Sequence, residues 1–415
     1  MRGKDLLDKM ELVDPTFVEA ADKPQNKKLR PLKWFAIAAC LALAVSAGIL
    51  LFPEKKPEIS PDLPVLTITT PPVKAGGGTG ITPLRDISDI DNENPWNEDC
   101  DLYTLPVFKN ALTHERCYDF YHATNTDFDR MRELLFEVAS DLGISPEEIT
   151  ITDDSQADIE KLLNSAKFTG VPESELDEYI AKRTTPTVFF GKTEGVEITV
   201  FNDLKVRITF DPAIPLPEKY NFKMYAPYED IASASKYIER EYSELIDCAD
   251  PKADISGDTY DIWLNFSYTL SFFESKGSLT DRIINYNFYQ TKFYGNEEGD
   301  LWLVWLYRPD LSNKIGDYPI ISADEALELL FNGNYVSNCL YDITGTETVV
   351  KTTLVYRYNT YDEYIIPFYC FYVEVPPDVA WYEENGLKTF GMYYVPAIES
   401  SYIANMPRWD GGFSY

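Results

Sequence analysis

Apolar residues follow three different periods along the chain. Trp34 to Phe52 reads WFAIAACLALAVSAGILLF, 19 residues without a charge. At about 1.5 Å of helical rise per residue it nearly spans the ~30 Å hydrocarbon layer of a bilayer. That run predicts one membrane-spanning helix. Further on, the period becomes helical. Phe128, Met131, Leu135, Val138 and Leu142 share one face, and Gly143 stops the helix. Ile231, Ile238 and Leu245 mark a second stripe over roughly 228–246. In the third, Ser322-Ala323-Asp324-Glu325 forms a capping box ahead of ALELLF, and Gly333 ends it.

Between the helices the period drops to two. VEITVF and LKVRITF flank Asn202-Asp203. Val196, Ile198, Val200, Leu204, Val206, Ile208 and Phe210 fall on one face, with mostly polar partners on the other. A half-buried hairpin with a two-residue turn is expected. YDIWLNFSYTLSFF, IINYNFYQTKFY and DLWLVWLYR read as strands of a second unit, TTLVYRY, YIIPFYCFYVEV and KTFGMYYVPAI as strands of a third. One amphipathic helix followed by antiparallel strands, three times over, predicts an α+β protein. The expected units cover 96–215, 216–312 and 313–415. The stretch 53–95 is rich in Pro, Thr and Gly without a sustained period and reads as a linker.

Charge orients the membrane segment. Lys23, Lys27, Lys28, Arg30 and Lys33 crowd its N-terminal side, and Trp34 sits at the boundary. The positive-inside rule places 1–33 in the cytoplasm and 53–415 outside, with the helix as an uncleaved signal anchor. The formal charge of the chain is −31. Residues 1–33 hold eight basic and six acidic side chains, leaving 29 basic against 62 acidic for the rest. So acidic a surface repels nucleic acid and anionic headgroups, and a nucleic-acid partner is excluded.

The 33-residue tail is too short for a core of its own, yet it is patterned. Leu6, Leu7, Met10 and Val13 fall on one face of a short helix, and Pro15 starts a second that exposes Phe17 and Val18. Such a helix is marginal alone in water and gains stability by docking on a protein partner or the inner leaflet.

Candidate chemistry is sparse. The chain holds two histidines, His114 and His122, which with Cys117 form a loose cluster. Ordinary polar and packing roles are the expectation for all three. Asp89, Asp91 and Glu93 alternate as in a calcium loop, but Asn94 replaces the turn glycine and Cys100 the final glutamate. Ser233 and Lys236 fit SxxK without a Lys-Thr-Gly partner. Six cysteines show no CxxC spacing, so no zinc site is indicated; Cys100–Cys117 and Cys339–Cys370 are the pairs to check. The expectation is no catalytic residue, no cofactor and no metal. Tyrosines are the remaining feature. Tyr286, Tyr289, Tyr356, Tyr358 and Tyr393, on expected strands, are the candidates for a surface that stacks on a sugar or grips a peptide.

YPIISADEALELLFNGNYV, Tyr318 to Val336, followed by strands ending in MYYVPAI, resembles PepSY-type domains and the YycH/YycI-type regulatory proteins of Gram-positive bacteria. Ile321, Ser322, Glu325, Ala326, Leu327 and Leu330 match the helix pattern of those proteins. The tail, basic stretch and membrane helix together are similar to membrane proteins of gut clostridia, some of them anti-sigma-factor-like. The chain departs from zinc anti-sigma factors in lacking their His/Cys ligands. The resemblance implies a non-enzymatic extracytoplasmic regulator or sensor, anchored by one N-terminal helix and acting on envelope signalling. It implies a protein partner such as a sensor kinase or sigma factor. The alternative expectation is a surface binding module for cell-wall glycan or peptide, with a passive anchor.

Overall fold

Strand and helix alternate through the folded part in an order that local sequence explains well and pairing rearranges. The computed structural model describes residues 62–68 and 80–409, apart from 119, 156–157, 338, 346, 358–361 and 378–379. The first strands are β1 (Ile81–Leu84), β2 (Thr104–Lys109), β3 (His114–Cys117) and β4 (Phe120–Ala123). Helix α1 (Phe128–Asp141) follows, then β5 (Thr150–Asp153), α2 (Ile159–Thr169) and α3 (Leu176–Arg183). Next come β6 (Val188–Lys192), β7 (Val196–Phe201), β8 (Val206–Ile214), α4 (Tyr228–Glu241) and α5 (Ser243–Ile246). The middle of the chain continues with β9 (Pro251–Tyr260), β10 (Phe266–Glu274), α6 (Leu279–Phe288), β11 (Thr291–Gly295) and β12 (Leu301–Leu306). The last stretch holds β13 (Lys314–Pro319), α7 (Ala323–Phe331), β14 (Val336–Ser337), β15 (Val349–Arg357), β16 (Tyr364–Val375), α8 (Ala380–Glu384) and β17 (Lys388–Pro396).

The fold is α+β with antiparallel sheets. An eight-stranded sheet runs β5-β6-β7-β8-β12-β11-β10-β9. A seven-stranded sheet runs β1-β17-β16-β2-β13, with β15 added to β16 and β14 to β17. β3 and β4 form a separate ribbon. Among the described residues, no helix is long and apolar enough to cross a membrane. The run Trp34–Phe52 and the tail 1–33 lie outside the described residues.

The helical stripes behave as their periods predict. Met131, Leu135 and Val138 of α1 and Ile231, Ala234 and Ile238 of α4 are buried against one face of the eight-stranded sheet. Asp127 caps α1 by accepting the Arg130 N–H at 2.9 Å, and Gly143 closes it at φ +72°. In α7, Ser322 and Glu325 form the expected reciprocal box, and Ala326 and Leu330 are buried against the seven-stranded sheet.

Four expectations are corrected. First, IINYNFYQTKFY is a strand only from Thr291, in β11, and its first part is helical. Leu279–Phe288 is α6, opened by a Ser278–Asp281 capping box, with Ile283 and Phe288 buried. Second, YDIWLNFSYTLSFF is a strand only from Phe266, in β10; Tyr260 ends β9, and the residues between turn the β9–β10 hairpin, with Leu264 at φ +62° and Ile262 and Trp263 exposed. Third, the β7–β8 turn has three residues, not two. Phe201 N–H donates to Lys205 O and Leu204 N–H to Phe201 O, both at 2.9 Å, with Leu204 at φ +62°. The register still pairs Val196 with Phe210, Ile198 with Ile208 and Val200 with Val206, so the expected apolar face survives.

Fourth, the expected units are not separate. Ile59–Tyr415 forms one structural unit. The boundary at 215/216 falls within one sheet, because β8 pairs with β12. β2, from the first expected unit, joins strands of the third. Nor is 53–95 a linker throughout: β1 pairs with β17, and Leu66 is fully buried beside Ile403. A strand leaves backbone donors and acceptors unpaired at its edge until a neighbour arrives, and that neighbour need not be close in sequence.

Candidate functional site

The strand alternation of the seven-stranded sheet builds one wall of a tyrosine-lined cleft. Register opposes Cys370 on β16 to Tyr394 on β17, Phe368 to Val355 and Ile366 to Arg357 on β15. Side chains two apart on a strand share a face, so Val355, Arg357, Cys370, Tyr372 and Tyr394 point the same way. Asn287 and Phe288 at the end of α6 flank the β15 edge, where Asn287 Oδ1 accepts the Tyr356 N–H at 2.9 Å. The opposite side comes from the eight-stranded sheet: Lys205 at the β7–β8 turn, and Tyr307 and Pro309 after β12. The cavity is about 440 Å³, within the range of small-ligand sites.

Its electrostatics differ from those of the chain as a whole. Among the described residues two cations line the cleft, Lys205 and Arg357, and no carboxylate does. Lys205 is tied to Asp203 at 2.7 Å, which orients it along the hairpin. The Arg357 guanidinium lies over the Tyr394 ring, 5.3 Å from its centroid. Burial draws the Arg357 pKa below its ordinary value, against the opposing pull of Tyr394 and Asp362. Burial pushes the Cys370 thiol up to about 12, against the opposing pull of the nearby tyrosine and threonine hydroxyls, and the Tyr394 hydroxyl donates to Met392 Sδ at 3.6 Å. Burial likewise raises Tyr372, Tyr394 and Tyr307, so all three phenols are neutral donors at ordinary pH.

The candidate tyrosines named from sequence do not form an exposed sheet face. Tyr393 is 0% exposed, and its hydroxyl donates to Tyr341 O at 2.9 Å. Tyr356 is 8% exposed, and its hydroxyl donates to Pro106 O at 2.7 Å. Tyr286 lies on α6 and Tyr289 caps it, both half-buried, with the Tyr286 ring edge-on to Phe273. Tyr358 lies outside the described residues, as do Leu6, Leu7, Met10, Val13 and Phe17 of the tail. Of the four described, only Tyr356 lines the cleft. Lys205, Arg357 and Tyr307 were not among the candidates. The usable signal was Arg357 closing the apolar run TTLVYR, a cation on a strand otherwise built for burial.

The other candidates are scattered. His114 and His122 sit on the β3–β4 ribbon and line a groove with Lys182 and Arg183, whereas Cys117 packs with Ala166, Val171 and Tyr179. Asp91 pairs with Lys351 at 2.6 Å and Glu93 with Lys252 at 2.7 Å, while Asp89 accepts the Arg85 N–H. Ser233 and Lys236 are exposed on α4. Among the described residues, no three His, Cys, Asp or Glu side chains are placed to hold a metal, and Cys100, Cys117, Cys248, Cys339 and Cys370 form no disulfide, so neither expected pair is joined.

No protein-family model and no curated protein matches the chain. Among solved structures it is similar to an uncharacterized protein from Eubacterium rectale ATCC 33656, at 10% identity and a TM-score of 0.32. That similarity covers 76% of this chain and 86% of the other, and at such a distance it bears on neither fold nor function.

Proposed function

We propose that the chain is a membrane-anchored extracytoplasmic regulatory or sensor protein, not an enzyme, whose ligand enters the tyrosine-lined cleft. One observation carries this reading: the cleft draws its walls from both large sheets, Lys205 and Tyr307 from one, Arg357, Tyr372 and Tyr394 from the other. A ligand seated there touches both at once. It therefore favours whichever arrangement of the two sheets it fits best, which is the physical requirement for a sensor. Trp34–Phe52 holds this part outside the membrane, and the apolar face of Leu6, Leu7, Met10 and Val13, with Phe17, docks a cytoplasmic partner such as a sensor kinase or sigma factor.

The test places photo-crosslinkers at Leu7 and Met10 in the host cell, in the native chain and in Tyr307→Ala. A kinase or sigma factor captured by the native tail, with a yield altered by the cleft variant, supports the reading. Equal yields in both chains, or capture of general membrane proteins alone, overturns it. The same tyrosines support a second reading, a surface module that binds wall glycan or peptide on a passive anchor. Exchange of the tail for an unrelated basic anchor separates the two, since a surface module keeps working and a regulator falls silent.

A further inference from the structure

The β9–β10 turn holds two large apolar side chains out in solvent. Trp263 is 74% exposed and Ile262 70%, and among the described residues only Phe168 is a more exposed large apolar side chain. The turn is braced. Asp261 Oδ1 accepts the N–H groups of Trp263 and Asn265, both at 2.9 Å, and Oδ2 accepts the Asn265 amide at 3.0 Å. The Leu264 N–H donates to Asp261 O and the Asp261 N–H to Asn265 O, both at 3.0 Å. The same Asp261 carboxylate lies beside the Tyr225 hydroxyl, so the segment leading into α4 meets the turn. Met224, Tyr225 and Tyr228, which opens α4, are exposed as well. Tyr228 packs edge-on against Tyr268, and the rings continue through Phe266 to Tyr260. Single exposed apolar residues are ordinary, but here five from two segments gather on one braced surface. Trp, Tyr and Met are the side chains that recur at the centres of protein interfaces.

Charge selects the occupant. Asp261 and Glu297 are close enough to act on the Tyr225 phenol, and Asp89 and Glu229 on that of Tyr268. Two cations stand nearby, Arg85 over the Tyr260 ring at 5.2 Å from its centroid and Lys223 next to Met224. Four carboxylates against two cations, on a chain of formal charge −31, leave the rim acidic. Anionic lipid headgroups are repelled there. A second copy joined about a two-fold axis sets the same carboxylates face to face. A basic protein face is attracted. We propose that this surface docks a protein partner with a basic contact face: an apolar pocket takes Trp263 and Ile262, and Lys or Arg side chains at its edge meet Glu229, Asp261 and Glu297. Because Asp261 already fixes the turn, little conformational freedom is lost when the partner arrives. The surface shares no residue with the tyrosine-lined cleft, so the inference stands apart from the reading of that cleft.

The test places the photo-crosslinker p-benzoylphenylalanine at Ile262 of the full chain in the host cell, with the same group at exposed Phe168 as the control. Adducts are identified and their joined peptides mapped by mass spectrometry. The partner so identified is then purified, and its affinity for the full chain in lipid nanodiscs is measured at low and high salt. The expected result is an adduct at position 262 and not at 168, mapped to an apolar stretch flanked by Lys or Arg. Trp263→Ala should weaken binding by about tenfold or more. Glu229→Lys with Glu297→Lys should weaken it as well and flatten its salt dependence. All three side chains are on the surface, so the variants keep the fold. The proposal is overturned by no adduct at 262, by the same adduct at both positions, or by an adduct with a second copy, a lipid or a glycan. A partner whose affinity is unchanged by Trp263→Ala, or unchanged by the paired charge reversal, overturns it too.

Discussion

The Tyr356 hydroxyl donates a hydrogen bond to the Pro106 carbonyl at 2.7 Å, joining β15 to β2 across 250 residues of chain. Both groups are buried, so neither finds water as a substitute partner. Tyr356→Phe keeps the ring and its edge contacts with Phe288 and removes only the donor. The Pro106 oxygen loses that bond, at an expected cost of about 1–3 kcal/mol. Urea unfolding should show a lower midpoint with an unchanged slope. A midpoint equal to the native chain's would mean that the bond adds no net stability.

Leu66 tests whether the segment before residue 80 is part of the fold. Its N–H donates to Tyr402 O and its carbonyl accepts the Ala404 N–H, both at 2.8 Å, while Tyr318 donates to Pro64 O at 2.9 Å. The Leu66 side chain is fully buried with Tyr318, Ile398 and Ile403. Leu66→Ala should therefore cost about 2–5 kcal/mol, as for other core leucines. A linker residue would change stability by less than about 0.5 kcal/mol, and thermal unfolding separates the two.

Gly257 on β9 packs against the turn that follows β1. A Cβ added there meets Asp89 O at 2.1 Å and Phe266 Cζ at 2.4 Å. Asp89 belongs to the turn that follows β1, an edge strand of the other sheet. Because one of the clashing atoms is backbone, rotamer change cannot relieve it. Gly257→Ala should lower stability by about 1–3 kcal/mol or more. A melting temperature equal to that of the native chain would show that the turn yields easily.

These residues also show how far the sequence was legible. Ser322-x-x-Glu325 and the stripe at Met131, Leu135 and Val138 were readable because caps and 3.6-residue periods are local. Ser278-x-x-Asp281 carries the same signal, yet the aromatics of INYNFYQ pointed to a strand, and the cap decided the matter. The union of β2 with β16 was not legible, since no local period specifies a partner hundreds of residues away. For the cleft, Tyr356, Tyr372 and Tyr394 were recognisable as strand tyrosines. Their roles differ by alternation alone: Tyr393 faces the core and Tyr394 the cleft, and one residue of register exchanges them. Lys205 enters only through the approach of the two sheets.

Buried acids with weakly exposed protons set a limit at alkaline pH. Burial raises the Cys370 thiol from 9.0 to about 12, and it raises Tyr356, Tyr372, Tyr393 and Tyr394 above 10.0. Well below pH 9.0, at about pH 7 and under, the folded and unfolded chains both hold these protons, and the native state keeps its full stability. Above that pH the unfolded chain releases protons that the native chain retains, so stability falls as pH rises. The loss begins near 9.0 for Cys370 and near 10.0 for the tyrosines, and it continues up to their native values. Urea midpoints should therefore drop between about pH 8 and about pH 11, with tyrosinate absorbance from the buried set appearing together with unfolding. Burial also raises the Cys248 thiol from 9.0 to about 11, so Cys370→Ala should lessen the loss that starts in the thiol range, and the double variant Cys248→Ala with Cys370→Ala should move the onset toward the tyrosine range. Equal midpoints at both pH values would mean that these groups are solvated in the native protein and that the cleft wall is open to water.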